Sequence, residues 1–463
     1  MKHLYLLSIL LLLTSCDSKG EIIPTPSENC TDLILKVTIT GELAPEKVTL
    51  DNSSRKITID FPIGSVPDKV DVELELNEGV RMLRPQSTQN TLDLREVVPI
   101  YLEYKSKEYR YLIVANYTED KDEVYMREGE INDMSLMYYG GSHRSTKWTD
   151  EELQAYVSWT DPQGKEHWLF DTFLFLEMNA GNGRYFESGF DSVGDGSIGA
   201  RKEDWQKIMD DYFDESGPIA RLDQVISKTA GRIGAPKYKR RLVIFVPAAF
   251  YKQQNWGELN GKNMNFMLSQ DRIDASAWYI DSVIDKLTGL NLKYLSFDGF
   301  YFVAEQLTNN RQYLPSVADY IKSKGRKFYW IPYWGSDGMK EWNAMHFDKA
   351  FLQPNYFFPE KKPDYQSFFD SVIRTAINSG MSLEMEFDER ALKKSTADYR
   401  ADRFWDYIKA FTDYGIMDNY PIAYYQGDCM VYTLKCSSDM DDQAIYNTLC
   451  EKIVTRQQKR GEK

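Results

Sequence analysis

Two hydrophobic patterns divide the chain. Between residues 32 and 117 apolar and polar positions alternate over short runs, as in Val70-Asp71-Val72-Glu73-Leu74-Glu75-Leu76, with similar runs at 33–39, 56–61 and 109–114. A period of two puts one set of side chains on each face of a strand, and Asn, Gly, Pro and Ser between the runs supply turns. This pattern predicts a small all-β sandwich over residues 32–117. After a charged linker at 118–132 the pattern changes. Helical stretches end in Gly ahead of apolar runs, at Gly289, Gly325, Gly380 and Gly415. Gly just past a helix suits the left-handed cap that turns the chain back. Thr149 with Glu152 three residues on has the form of a capping box that opens a helix. Eight apolar runs, at 136–139, 168–178, 242–248, 294–303, 327–334, 350–356, 383–388 and 422–426, are read as strands with helices between them. The fold class is therefore α/β, a (β/α)8 TIM barrel over residues 133–455 behind the β-sandwich.

An open doubly wound sheet is the competing arrangement. Its fingerprint has one match, Gly194-Asp195-Gly196-Ser197-Ile198-Gly199, but a polar stretch precedes it where a hydrophobic strand is needed. The motif is read as part of a long loop after the second strand.

One strand stands out chemically. Ser382-Leu383-Glu384-Met385-Glu386-Phe387-Asp388 sets three carboxylates at alternate positions, hence on one face. Clustering acids is costly, because like charges and burial both disfavour ionisation, so the strand is a candidate site wall. In a barrel, catalytic groups gather at strand C-termini. Polar and aromatic residues do concentrate there: Tyr139, Glu177, Glu305, Trp330, Trp334, Asn355, Tyr356, Tyr424 and Gln426. Glu305 ends strand four, across the mouth from strand seven. Glycosidic hydrolysis needs one carboxylic acid to protonate the leaving oxygen and a second carboxylate at the anomeric centre. The pair Glu305 and Glu386 suits that chemistry, with Glu305 as general acid/base, Glu386 as nucleophile and Glu384 as the alternative. Asp298 reads as a structural acid beside Gly299, and Asp388 as an orienting or capping one. Trp330, Trp334, Tyr356 and Tyr424 are candidate sugar platforms, Asn355 and Gln426 candidate hydroxyl readers. Glu177, Tyr139 and His143 are further substrate contacts, and the loop at 251–270 with Trp256 would shape subsites.

Composition narrows the class. The net charge of −14 lacks the basic footprint of a nucleic-acid binder. Only four His occur, and no Cys pair has zinc spacing, so neither metal nor cofactor is expected. A Cys429–Cys436 bridge is open, with free buried thiols the plainer reading. Aromatics make up 14% of the chain, and with carboxylates they suit a carbohydrate partner. At the N-terminus, Met1-Lys2-His3 precedes an apolar run to Leu13 and the sequence Leu13-Thr14-Ser15-Cys16. That is a signal peptide over residues 1–15. The sequence leaves the oligomeric state open.

Three resemblances add to this reading. Leu13-Thr14-Ser15-Cys16 resembles a bacterial lipobox, which implies lipidation at Cys16, a tether over 16–31 and an outer-membrane lipoprotein at the cell surface or periplasmic face. The Thr-Ile-Asp strand ahead of Pro62-Ile63-Gly64, with the closing strand at 109–114, resembles the Ig-like modules of Bacteroidetes surface lipoproteins. From Ser135 to about Thr433 the chain resembles the family called domain of unknown function 4855. The matching text includes Met137-Tyr138-Tyr139-Gly140-Gly141, Asp298-Gly299-Phe300-Tyr301-Phe302 with Glu305, Trp330-Ile331-Pro332-Tyr333-Trp334, Leu352-Gln353-Pro354-Asn355-Tyr356 and Glu384-Met385-Glu386-Phe387-Asp388. That resemblance implies a barrel similar to those of glycoside hydrolases. The strand-four acid and strand-seven nucleophile are similar to those of retaining barrel glycosidases, except that Ala304 stands where those enzymes often have Asn. A glycan-binding lipoprotein without catalysis is the alternative, and an adhesion protein acting through its front module a third.

Overall fold

The computed structural model describes residues 32–461 except 42, 54, 63–64, 96–97, 118–124, 191–195 and 396–397. The expected signal peptide and tether, with Cys16, lie outside the described residues. So do Ile63 and Gly64 of the expected turn, Gly194 and Asp195 of the glycine-rich motif, and much of the linker. The chain divides into two compact units, one ending at residue 119 and the other starting at residue 120.

The first unit is a two-sheet sandwich. Ile34–Thr40, Val70–Leu76 and Gln89–Leu92 form one sheet; Lys47–Asp51, Lys56–Asp60, Lys107–Asn116, Val98–Tyr104 and Arg81–Arg84 form the other. All neighbours are antiparallel except Lys56–Asp60 with Lys107–Asn116. Val70, Val72 and Leu74 from one sheet and Ile57, Ile59, Ile100, Leu102 and Ile113 from the other share a core, as the alternation requires. Asn52 ties the sheets, donating to the Ile34 carbonyl at 2.9 Å and accepting from the Tyr111 hydroxyl at 2.7 Å.

In the second unit eight parallel strands close into a barrel. In chain order they are Asp133–Tyr138, Thr172–Leu176, Arg240–Val246, Leu295–Phe302, Lys327–Trp330, Lys349–Leu352, Ser382–Glu386 and Ile422–Tyr425, here strands one to eight. Each pairs with the next, and strand eight returns to strand one. All eight predicted runs contribute a strand. The run at 168–178 splits, because Glu166–Trp168 pairs back on Ser158–Thr160 and only Thr172–Leu176 enters the barrel. Strands one, two and seven are buried throughout, since helices cover the outer face and side chains fill the inner one. The Thr149–Glu152 capping box is present. Gly325, Gly380 and Gly415 are left-handed, whereas Gly289 is the last helical residue and Leu290 takes the cap. Cys429, Cys436 and Cys450 are free, and Cys436 is exposed. Among the described residues no helix is long and apolar enough to cross a membrane.

Register carries one inward-facing set around the cylinder. Leu136 and Tyr138 pair with Leu174 and Leu176, Gly299 and Tyr301 with Lys327 and Tyr329, and Glu384 and Glu386 with Ala423 and Tyr425. Strand four departs once. Leu242 pairs with Phe297 but Val243 with Gly299, which leaves Asp298 as an extra residue in a bulge. A Cβ at position 299 would sit 2.1 Å from the Lys327 carbonyl oxygen, so the bulge needs glycine. The Asp298 carboxylate accepts from Arg241 at 2.6 Å and from the Tyr329 hydroxyl, which is the structural role expected of it.

The base of the barrel, where the strands begin, is tied by Arg456 on the helix Met440–Lys459. Its guanidinium donates to Asp133 at 2.7 Å and to the carbonyls of Tyr420, Met417 and Asn132 at 2.8, 2.6 and 3.1 Å. Arg456 is 2% exposed and Asp133 fully buried. Without Arg456 the fully buried Asp133 keeps only the longer contact with Arg460 at 3.3 Å and the Tyr424 hydroxyl, so Arg456→Ala is expected to cost about 3 kcal/mol in urea unfolding. Lys459→Ala, which breaks an exposed pair with Asp418, should cost less than about 1 kcal/mol.

Candidate active site at the barrel mouth

Strand seven delivers Glu384 and Glu386 to the inner face, both essentially without solvent exposure. Their environments differ. Glu386 Oε2 accepts from the Asn355 N–H at 2.7 Å and from the Tyr407 hydroxyl on the helix Ala401–Asp413. Asn355 reaches it because the turn after strand six is left-handed there (φ 62°), with its side chain held by Gln353 at 3.0 Å. Burial raises the Glu386 carboxyl, while Tyr407, Gln353 and the N–H groups of Asn355 and Tyr356 favour its ionised form, leaving it at about 7. Glu384 has no such donors. Its Oε1 is unpaired, as is Glu386 Oε1, and burial, then Glu386, then Glu305, push it well above the usual carboxylate range.

Glu305 follows strand four at the mouth. Among the described residues no hydrogen bond or ion pair reaches it. Enclosure by protein, then the charges of Glu187 and Glu386, raise it to about 8. The field of Glu386 on Glu305, and of Glu305 on Glu384, puts the three sequence-predicted acids in one cluster. Glu187 is a fourth member that the sequence did not disclose. It lies in the connection after strand two and accepts from the Gly189 N–H at 2.7 Å. The buried rings of Tyr138 and Tyr301 and the half-buried Tyr425 complete the wall, each within the field of Glu384. Tyr138 stacks on His143 at 4.5 Å and meets the edge of Tyr425 at 6.0 Å.

Several predicted contacts are corrected. Tyr139 and Tyr424 are one residue out of phase with the inner face. Tyr139 stacks on Tyr212 in the helical layer, and the Tyr424 hydroxyl is spent on Asp133 at 2.9 Å. Trp330 is fully buried, stacked on Phe347, with its indole N–H on the Ala304 carbonyl at 2.7 Å. Tyr356 packs on Phe369 and donates to Asp406 at 2.7 Å. None of these four aromatic rings offers a face to a sugar. Gln426 is fully buried, bonded to the Leu136 carbonyl, the Tyr156 hydroxyl and the Met430 N–H, so it reads no hydroxyl. Glu177 is buried and anchors the loop after strand one through the His143 ring at 2.7 Å and the His143 N–H at 3.2 Å. Trp256 is a core residue against Trp205. Asp388 caps the short helix Glu389–Ala391. Asn355 acts through its backbone on Glu386. Trp334, half-exposed beside Phe368, and His143 keep accessible surface.

Glu305, Glu384 and Glu386 all hold protons to higher pH in the folded chain than an ordinary glutamate at about 4.3. The folded state thus binds more protons than the unfolded one between roughly pH 5 and pH 8, and stability falls as pH rises through that window. Glu305→Gln is expected to stabilise the protein by on the order of 2 kcal/mol at pH 8 and hardly at all at pH 5. Thermal unfolding at both pH values checks this, and an equal gain at both would contradict it.

Among solved structures, similarity is low in sequence. A suspected α-L-fucosidase from Bacteroides thetaiotaomicron is 14% identical, covering 71% of this chain and 95% of its own, with a TM-score of 0.36. The catalytic domain of a family GH18 chitinase from the fern Peteris ryukyuensis is 10% identical over 68% and 98%, with a TM-score of 0.34. A tryptophan synthase α-subunit from Pyrococcus furiosus is 7% identical over 70% and 100%, with a TM-score of 0.31. No curated protein sequence matches the chain. Residues 133–451 match the model of the family described as Domain of unknown function (DUF4855), and the chain belongs to that family.

Proposed function

We propose that the barrel is a glycoside hydrolase that cleaves O-glycosidic bonds of a poly- or oligosaccharide with two carboxylates. The observation that carries this reading is the opposite treatment of two acids at one mouth. Glu386 is given donors that favour its ionised form, while Glu305 receives none and keeps its proton to about pH 8. Two carboxyl groups whose surroundings divide them in this way supply a base or nucleophile and an acid near neutrality. Glu305 protonates the leaving oxygen, and Glu386 attacks or stabilises the oxocarbenium-like centre. Tyr407 and the Asn355 N–H hold Glu386 by one oxygen and leave Oε1, buried and without a donor, as the oxygen for the anomeric centre.

Activity should follow a bell-shaped pH profile whose limbs lie near 7, where Glu386 takes up its proton, and near 8, where Glu305 loses its own. Glu305→Gln and Glu386→Gln should each lower turnover by about 10²- to 10⁴-fold with sugar binding retained. Binding without turnover by the wild-type chain, across a broad glycan panel, would favour a glycan-binding role instead. The leader ending Leu13-Thr14-Ser15-Cys16 supports export and lipid anchoring at the outer membrane. Cys16→Ser is expected to move the protein from the membrane fraction to the soluble one.

A further inference from the structure

We propose that Glu384 works as a neutral carboxylic acid that donates its O–H to an oxygen of the bound sugar, so that the substrate class is a neutral, hydroxyl-rich glycan. The inference rests on the glycosidase reading and extends it to the sugar at the cleaved bond. Two carboxylates account for the cleavage, which leaves Glu384 without a task. It faces the interior from strand seven, 2% exposed and two residues ahead of Glu386. Among the described residues no donor and no cation reaches it, and its Oε1 is buried without a partner. An acid enclosed in that way keeps its proton, because the ionised form loses water and gains nothing in exchange. Glu386 is different, since the Asn355 N–H and the Tyr407 hydroxyl favour its ionised form. Glu384 thus holds a donor with no acceptor among the described residues, and a ligand oxygen would supply one.

The side chains around Glu384 suit the same kind of ligand. Tyr138 from strand one, Tyr301 from strand four and Tyr425 from strand eight lie within its field, and their hydroxyls have no hydrogen-bond partner among the described residues. Tyr407 donates to Glu386, and the acids facing Glu384 are Glu386 and Glu305. A carboxylic acid and a phenol each carry one O–H donor beside an acceptor oxygen, and so does a sugar hydroxyl. Neutral hydroxyls can therefore be matched group by group. A uronate or sulfated sugar would bring an anion to a wall without a cation, and a buried unpaired charge is costly. The basic side chains nearest in sequence are held by other acids: His143 by Glu177 at 2.7 Å, Arg144 by Glu152 and Asp428 at 2.8 and 2.9 Å, and Arg390 by Asp388. An amino sugar would need an ionised partner. The one acid of the three with donors to support ionisation, Glu386, is taken by the anomeric centre. Phe358, half-buried with its ring 5.6 Å from that of Tyr425, adds apolar surface for the C–H face of a pyranose.

The test begins with calorimetric titration of the full wild-type chain at pH 7.5 with gluco-, galacto-, manno- and xylo-oligosaccharides, a glucosamine oligosaccharide and a galacturonate oligosaccharide, with products checked by chromatography. A neutral oligosaccharide should bind at least tenfold more tightly than either charged one. Glu384→Leu should weaken that binding at least tenfold, and Glu384→Gln, whose amide again sets a donor beside an acceptor, should recover it to within threefold of wild type. Infrared difference spectra of wild type against Glu384→Gln are then recorded at pH 9, above the values of about 8 and about 7 at Glu305 and Glu386. They should show the carbonyl band of one neutral carboxylic acid, shifted by the tightest-binding neutral sugar. A missing band, a band that the sugar does not move, tighter binding of a charged oligosaccharide, binding of none of the six, or full binding by Glu384→Leu would overturn the inference. The titrations of the wild-type chain decide even where a variant does not fold. Neutral-sugar binding with the shifted band but without cleavage would remove the glycosidase reading and keep this one. Cleavage of a charged glycan that depends on Glu305 and Glu386 would do the reverse.

Discussion

Pairing of strand eight with strand one turns the sheet into a cylinder, and the cylinder decides which side chains lose water. Ile422 meets Asp133, Ala423 meets Met134 and Tyr424 meets Ser135, so the alternation of every strand is locked to that of its neighbours around a closed ring. No strand can slip by one residue without turning its inner set outward. Arg456 acts at this seam, bonded at once to Asp133 of strand one and to the Tyr420 carbonyl ahead of strand eight. The last helix thus fixes the closure from outside while the wall of the site is built inside.

Closure also sets an energetic conflict. A position on the inner face near the mouth suits chemistry because water is scarce there and charges act strongly on one another. For the same reason it suits acids poorly. The chain settles this unevenly, with two donors for Glu386 and none for Glu384. Tyr407 and Asn355 both come from outside strand seven, so the charge state of the acid depends on the packing of two neighbouring connections. Tyr407 packs on Phe369 and Tyr356, which places the aromatic layer between the helices in the service of one carboxylate oxygen.

The sequence was legible where its signal was periodic. All eight barrel strands and the four strongest strands of the sandwich were readable, because apolar runs bounded by Gly and polar turns are local signals. Glu384 and Glu386 were legible as a pair, since residues two apart share a face whichever face it is. Phase was not legible. In a strand covered on both sides both faces are apolar, so nothing local distinguishes Tyr138 from Tyr139 or Tyr425 from Tyr424. Trp330 falls to the same ambiguity, and Gln426 to another: a buried amide bonded to distant groups looks, in sequence, like one awaiting a ligand. Glu187 sits in a long polar connection with no periodicity at all. Only the folded chain brings it to the acids.

The bulge at Asp298 has a bearing on how such a barrel can diverge. Ordinary alternation allows a strand to present one parity to the interior along its whole length. The extra residue resets the count, so that Asp298, near the base, and Tyr301, near the mouth, both face inward although one is even and the other odd. Strand four therefore reads as two short strands spliced out of step, the lower serving the Arg241–Tyr329 plug and the upper the acid wall. The splice decouples them. Substitutions that retune the mouth need not disturb the base, and the glycine that permits the splice is the price of that independence.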